Sequence, residues 1–136
     1  MNEISTTPRY KLLFVDDDEF FLNLYSQKAR RYNIEMKVAD SAQAALEKLQ
    51  NGFSPDVFVI DLDMPTVSGF ELIEKLQKDH LADAAHIVVL TNKNDPYYIE
   101  KSRQYHVDRY IVKATRVPSE VMDEIFDLLE HPPKNK

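Results

Sequence analysis

Four short apolar runs in this chain each hand over to a polar side chain at the C-terminal end, and the four side chains are chemically complementary. Leu12-Leu13-Phe14-Val15 ends in Asp16-Asp17-Asp18, and Val57-Phe58-Val59-Ile60 ends in Asp61. Ile87-Val88-Val89-Leu90 ends in Thr91, and Tyr110-Ile111-Val112 ends in Lys113. A continuous apolar run suits a parallel strand covered on both faces, whereas a half-exposed strand alternates. As parallel strands of one sheet, the four would bring three or more carboxylates, a hydroxyl and an ammonium to one edge. That set suits a divalent cation and a phosphoryl group.

The remaining segments supply helices between those strands. After an N-terminal tail (1–9), Lys11–Val15 reads as the first strand, and Phe20, Phe21, Leu24, Tyr25 and Lys28 fall at helical spacing up to about Arg31. Ile34, Met36 and Val38 alternate with charged residues, which predicts an edge strand. Asp40 followed by Gln43 predicts a capping box opening a helix that stops near Gly52. Asp56–Ile60 is the central strand, and Ser68-Gly69-Phe70-Glu71 predicts a second capping box. His86–Leu90 is the next strand, and Asp95-Pro96 predicts a helix start, with the helix running to about Tyr105. Asp108–Val112 is the last strand. Ser119–Glu130 is a closing amphipathic helix with Val121, Met122, Ile125, Leu128 and Leu129 inward, ended by Pro132-Pro133.

Parallel strands need right-handed crossovers, and helices must cover both sheet faces. The pattern therefore predicts an α/β doubly wound, flavodoxin-like sandwich with a five-stranded parallel sheet, order 2-1-3-4-5, and five helices. The domain would span 10–131, with a C-terminal tail at 132–136. Ligands in such sheets bind where strand order reverses, which here lies between the strands ending in Asp16 and Asp61.

Composition removes several function classes. Acidic residues outnumber basic ones, 23 to 17, for a net charge of −6, which opposes a nucleic-acid footprint. No apolar run nears the roughly 18 residues of a spanning helix, and the start Met1-Asn2-Glu3-Ile4-Ser5 is no signal peptide. With no cysteine there is no disulfide, thiolate nucleophile or cysteine metal site. A cytoplasmic location is expected. His80, His86, His106 and His131 show no mutual ligand spacing.

The acidic edge has a definite chemistry. Asp16, Asp17 and Asp61 offer hard oxygen ligands, and magnesium takes one or two carboxylates with waters and phosphate oxygens. The ammonium of Lys113 and one divalent ion would bring these three carboxylates to about neutral. A carboxylate can act as nucleophile toward phosphorus, and Asp61, central in the set, is assigned that role. Lys113 would pair with one phosphoryl oxygen and Thr91 would donate to another. Asp63 would offer its backbone carbonyl to the metal. Each residue alone is an ordinary turn, cap or surface residue; the weight comes from their coincidence at strand ends.

Leu13-Phe14-Val15-Asp16-Asp17-Asp18, Pro55-Asp56-Val57-Phe58-Val59-Ile60-Asp61-Leu62-Asp63-Met64-Pro65 with Gly69, Val89-Leu90-Thr91 and Asp108-Arg109-Tyr110-Ile111-Val112-Lys113 resemble the receiver domain of two-component response regulators. The likeness runs from about Tyr10 to Glu130. It implies phosphorylation of Asp61, with magnesium required, by a phosphohistidine on a sensor histidine kinase or histidine phosphotransfer protein. It implies a switch in which Thr91 swings toward the phosphoryl group and Tyr110 turns inward, reshaping the fourth helix, last strand and last helix for a downstream target protein or a homodimer. Asp63 and Lys93 occupy positions that tune phosphoryl lifetime in the family. Such a chain is a signalling phosphoacceptor rather than an enzyme with turnover, either standing alone or cut from a larger regulator.

The sequence departs from the family at Asn92, where Ala or Gly is usual, and at Ala114, where a cis proline is usual and a trans peptide is expected. His106-Val107-Asp108 replaces a usual Gly-Ala pair. Two other readings stand beside the receiver. One is a receiver-like interaction module that is never phosphorylated. The other is a haloacid-dehalogenase-like phosphatase using Asp61-Leu62-Asp63, against which the acidic pair lies upstream instead of downstream. Tyr110 has the plainer reading of packing at the sheet edge, and Tyr97, Tyr98 and Tyr105 could form an aromatic patch on the fourth helix for a partner or simply pack.

Overall fold

Each apolar run becomes a strand whose side chains alternate between two helical layers. The computed structural model describes residues 9–133, so most of both tails lies outside the described residues. Strands β1 (Tyr10–Val15), β2 (Ile34–Ala39), β3 (Val57–Ile60), β4 (His86–Thr91) and β5 (Arg109–Val112) alternate with helices α1 (Glu19–Ala29), α2 (Ala42–Gln50), α3 (Gly69–Lys78), α4 (Pro96–Gln104) and α5 (Pro118–Glu130). All pairings are parallel and the order is β2-β1-β3-β4-β5, the predicted topology. Among the described residues no helix is long and apolar enough to cross a membrane.

The period of two divides the strands between layers. Leu12, Phe14, Val57, Val59, Val88 and Leu90 face α1 and α5, where Leu22, Tyr25, Val121, Met122, Ile125 and Leu128 complete the layer. Leu13, Val15, Phe58, Ile60, Ile87 and Val89 face the other way, onto Ala45 of α2 and Phe70, Ile73 and Leu76 of α3. Burial is nearly complete along β1, β3 and β4, which accounts for their unbroken apolar runs. Helix α4 is the exception: Ser102 is its single buried residue. Tyr98 and the adjacent Tyr105 only partly bury, stacking on Phe70 of α3 with centroids 6.3 and 5.8 Å away.

Several element ends differ from the expected ones for identifiable reasons. Helix α2 is capped by Ser41, whose Oγ accepts from the N–H of Ala44 at 3.1 Å, not by Asp40. Asp40 remains exposed one residue earlier. Helix α1 stops at Ala29 and tightens into a 3₁₀ turn over Arg30–Tyr32, and Asn33 follows in the left-handed region at φ 57°. Asp95 precedes α4 without a side-chain cap hydrogen bond; its carbonyl accepts from Tyr98 and Ile99 instead. Helix α5 begins at Pro118, a residue early, and Glu120 reaches back to the N–H of Val117. The box at Ser68 and Glu71 forms in both directions, at 3.3 and 2.9 Å. The peptide preceding Ala114 is trans, as expected.

That box fixes the entry of α3 beneath the end of β3. Gly69 donates to the carbonyl of Leu62 at 3.2 Å. A Cβ on Gly69 would lie 2.3 Å from the carbonyl oxygen of Asp61 and 2.7 Å from the Cα of Leu62. Both obstacles are backbone, which has little freedom to yield. Gly69→Ala should therefore cost about 1–3 kcal/mol, the range for forcing a methyl group into a filled space. A lower urea midpoint with an unchanged m-value would register the loss.

Candidate functional site

The register of the central strands brings the predicted residues together. Val15 pairs with Ile60, so Asp16 and Asp61 leave adjacent strands at the same level. The N–H of Asp61 donates to the carbonyl of Val15 at 3.0 Å, which extends the ladder by one bond and holds the two carboxylates side by side. Thr91 pairs with Val112 on the other side, so Lys113 is the first residue beyond β5. Strand order thus converts four separate segments into one cleft of about 470 Å³. Its lining includes Asp16, Asp17, Asp61, Asp63, Asn92 and Lys113.

The ammonium of Lys113 is the hub. Its Nζ lies 2.7 Å from Oδ2 of Asp16 and 3.2 Å from Oδ2 of Asp61, with the Lys113 side chain only 7% exposed. Burial alone would lower the Lys113 pKa, but the two carboxylates outweigh it and hold the ammonium above its ordinary value. Asp16 is fully buried and its pKa is raised, chiefly by that burial and further by the Asp61 charge, against the opposing pull of Lys113 and of the Asp18 N–H. One lysine therefore under-compensates the cluster. The contact between Asp16 Oδ2 and Lys113 is a close ion pair that lacks hydrogen-bond direction, leaving that oxygen open to a further cation. Asp17 is exposed beside it, and one oxygen each from Asp16, Asp17 and Asp61 fall within 4.8 Å of one another. The set could hold a metal ion: hard oxygen donors, excess negative charge and an open side toward the cleft fit a divalent cation.

The neighbouring acids do different work. Asp18 caps α1, its Oδ1 accepting from the N–H groups of Phe20 and Phe21 at 3.0 and 3.4 Å. Asp63 is exposed on the cleft wall, outside the carboxylate trio, and donates its N–H to Oδ1 of Asp61 at 3.2 Å. That bond and the Lys113 contact fix the Asp61 carboxylate at both oxygens. Asn92 lines the cleft, as its place after Thr91 implies.

Thr91 is buried, and its Oγ1 accepts from the N–H of Lys93 at 3.3 Å. The hydroxyl of Tyr110 donates to the carbonyl of the same Lys93. The two residues assigned to a switch therefore grip the two ends of one residue in the loop before α4. Burial pushes the Tyr110 phenol up to about 12, with Tyr98, Asp61 and Asp95 adding to it, so it stays a donor near neutral pH. Sequence patterning does not reach this shared partner, because the bonds are made by the backbone of Lys93. It also passes over Phe21, whose ring lies 4.4 Å beneath the Lys113 ammonium. An aromatic in the first turn after the acidic run was the available signal.

Comparison with known proteins agrees with this fold. The response regulator receiver domain family matches residues 12–125. Two-component response regulator ARR10 of Arabidopsis thaliana is 28% identical over 122 residues, covering 89% of this chain and 21% of the relative. The chain thus spans about a fifth of the length of the first curated relatives it matches. Two-component response regulator ORR3 of Oryza sativa subsp. indica is 25% identical over 114 residues, covering 84% of this chain and 86% of the relative. The crystal structure of a CheY-like response regulator receiver domain protein from Methanospirillum hungatei superposes with a TM-score of 0.82 at 26% identity, covering 93% of this chain and 98% of that one. The chain belongs to the response regulator receiver domain family.

Proposed function

We propose that this chain is a signalling phosphoacceptor in a phosphorelay, in which Asp61 takes a phosphoryl group from a phosphohistidine of a histidine kinase or histidine phosphotransfer protein. The observation that carries the reading is the position of Lys113 Nζ, bridging Asp16 and Asp61 at the closed end of an open acidic cleft. In the transfer an Asp61 carboxylate oxygen forms the new O–P bond. The P–N bond of the phosphohistidine breaks, and its electron pair stays on the imidazole nitrogen. Catalysis here is alignment and charge neutralisation rather than covalent chemistry by other groups. The hydrogen bond from Asp63 N–H orients Asp61, and Lys113 neutralises an equatorial oxygen.

Magnesium is the proposed cofactor, held by the carboxylates of Asp16, Asp17 and Asp61 with the backbone carbonyl of Asp63, and it would neutralise phosphoryl oxygens as charge builds. Thr91 would then exchange its bond from Lys93 for one donated to the phosphoryl group. Its loss leaves the Lys93 N–H without that acceptor and frees the loop that Tyr110 also holds. A phosphoryl group adds about 1.5 to 2 negative charges, enough to bias two close-lying states. The surface of α4, β5 and α5 would carry the change to a downstream target protein or a second copy of the chain. Asp63 and Lys93, at the cleft mouth and on the switch loop, would set phosphoryl lifetime. The setting is cytoplasmic, with no direct nucleic-acid contact.

Acetyl phosphate with magnesium tests the central claim. Intact mass should rise by about 80 Da, one phosphoryl group, and Asp61→Asn should abolish the gain. No gain in the unaltered chain would favour an interaction module that carries no phosphate. The ion can be tested separately by thermal unfolding. Magnesium at ten times its dissociation constant should stabilise the fold by about 1.4 kcal/mol. Asp17→Asn should lose most of that increment at the same magnesium concentration, because Asp17 is exposed and its substitution leaves the core untouched.

A further inference from the structure

Lys113 has a third neighbour that the phosphoryl chemistry does not account for. An ammonium carries three donors. The carboxylates of Asp16 and Asp61 approach it at 2.7 and 3.2 Å, and the face of the Phe21 ring lies 4.4 Å from the same nitrogen. This is the shortest distance among the cation–ring contacts of the described residues. Phe20, the preceding residue, points to solvent at 72% exposure. Of the two phenylalanines in the first turn of α1, only Phe21 turns toward the cleft.

The ring is itself firmly placed. The N–H of Phe21 donates to Asp18 Oδ1 at 3.4 Å, so the residue capping α1 also sets the start of this turn. Its ring packs on Tyr25 with centroids 5.9 Å apart, and Tyr25 packs on Phe14 in the core at 5.0 Å. A chain of aromatic contacts therefore runs from the centre of the sheet to the ammonium. The consequence is that Lys113 is nearly dry although the cleft beside it is open. A desolvated ammonium interacts more strongly with both a ring face and an anion than a hydrated one does.

We infer that Phe21 is a positioning residue for Lys113: its ring face holds the ammonium between Asp16 and Asp61 and keeps water from it, so that the charge stands ready for an oxygen of the phosphoryl group on Asp61. The kinetic consequence rests on the phosphoacceptor reading, whereas the contact does not. An aliphatic side chain of similar bulk fills the space but offers no negative face. Phe21→Leu and Phe21→Tyr thus separate packing from ring electrostatics.

The test uses the full chain and two readouts. Nuclear magnetic resonance should find the Cε protons of Lys113 shifted upfield by the ring current in the unaltered protein and in Phe21→Tyr, and at ordinary positions in Phe21→Leu. The initial rate of mass gain with acetyl phosphate and magnesium should fall roughly tenfold in Phe21→Leu and stay within about twofold in Phe21→Tyr, the scale of a desolvated cation–ring contact. Ordinary Lys113 resonances in the unaltered protein, or an unchanged rate in a folded Phe21→Leu, would overturn the inference. If Phe21→Leu fails to fold, the resonances of the unaltered protein decide. If the unaltered protein gains no mass, the phosphoacceptor reading fails, and the Lys113 signal still decides the contact on its own.

Discussion

The ion pairs of Lys113 with Asp16 and Asp61 are the constraint around which the upper edge of this fold is arranged. Three strands contribute to them, so the contact exists only if β1, β3 and β5 are parallel, in order and in register. The balance is deliberately incomplete in charge. The raised pKa of Asp16 means that its ionised form is disfavoured on folding, so stability falls as pH climbs through the folded value. The raised pKa of Lys113 acts in the same direction but in a higher range: its stabilisation is complete at neutral pH and is lost only as pH rises through the folded value, on the alkaline side of the ordinary one. Three carboxylates, of Asp16, Asp17 and Asp61, share the site with one ammonium, so it has room for one more positive charge.

That imbalance is affordable because the backbone below it is over-determined. β1, β3 and β4 are buried on both faces, and the ladder continues one bond past the strands through Asp16 and Asp61. Beneath Asp61, the missing side chain of Gly69 lets α3 begin in direct contact with the Asp61 carbonyl. The capping box of Ser68 and Glu71 starts the helix at that point. Rigid packing on the core side lets the cleft side carry repulsion without the carboxylates drifting apart.

Much of this was legible in the chain because the relevant signals are local. An unbroken apolar run names a doubly covered strand, and the residue after it is necessarily at the sheet edge, so Asp16, Asp61, Thr91 and Lys113 could be placed without knowing any contact. What was not legible depends on geometry between segments or on backbone groups. Asp40 and Ser41 both make chemically sound caps, and only the path of the chain out of β2 chooses Ser41. Asp18 stands in the same acidic run as Asp16 and Asp17, and only its bonds to Phe20 and Phe21 single it out as the cap of α1. The double hold on Lys93 involves its N–H and carbonyl, which every residue has, so no side-chain pattern announces it.

The uneven anchoring of the helices bears on how a change at Asp61 could travel. α3 and α5 each bury five residues, whereas α4 buries Ser102 alone and rests on half-exposed aromatic stacking against Phe70. Elements with few buried apolar contacts open at the lowest free energy, so α4 and its leading loop are where small biases have large effects. The loop is held at Lys93 by one bond to Thr91 and one from Tyr110. Each such bond is worth only about 0.5–1.5 kcal/mol net. A charged phosphoryl group offers Thr91 a charge-assisted hydrogen bond of roughly twice that strength. On the phosphoacceptor reading, the exchange therefore favours release of Lys93 N–H, and the weakest-packed helix of the fold is the one positioned to respond.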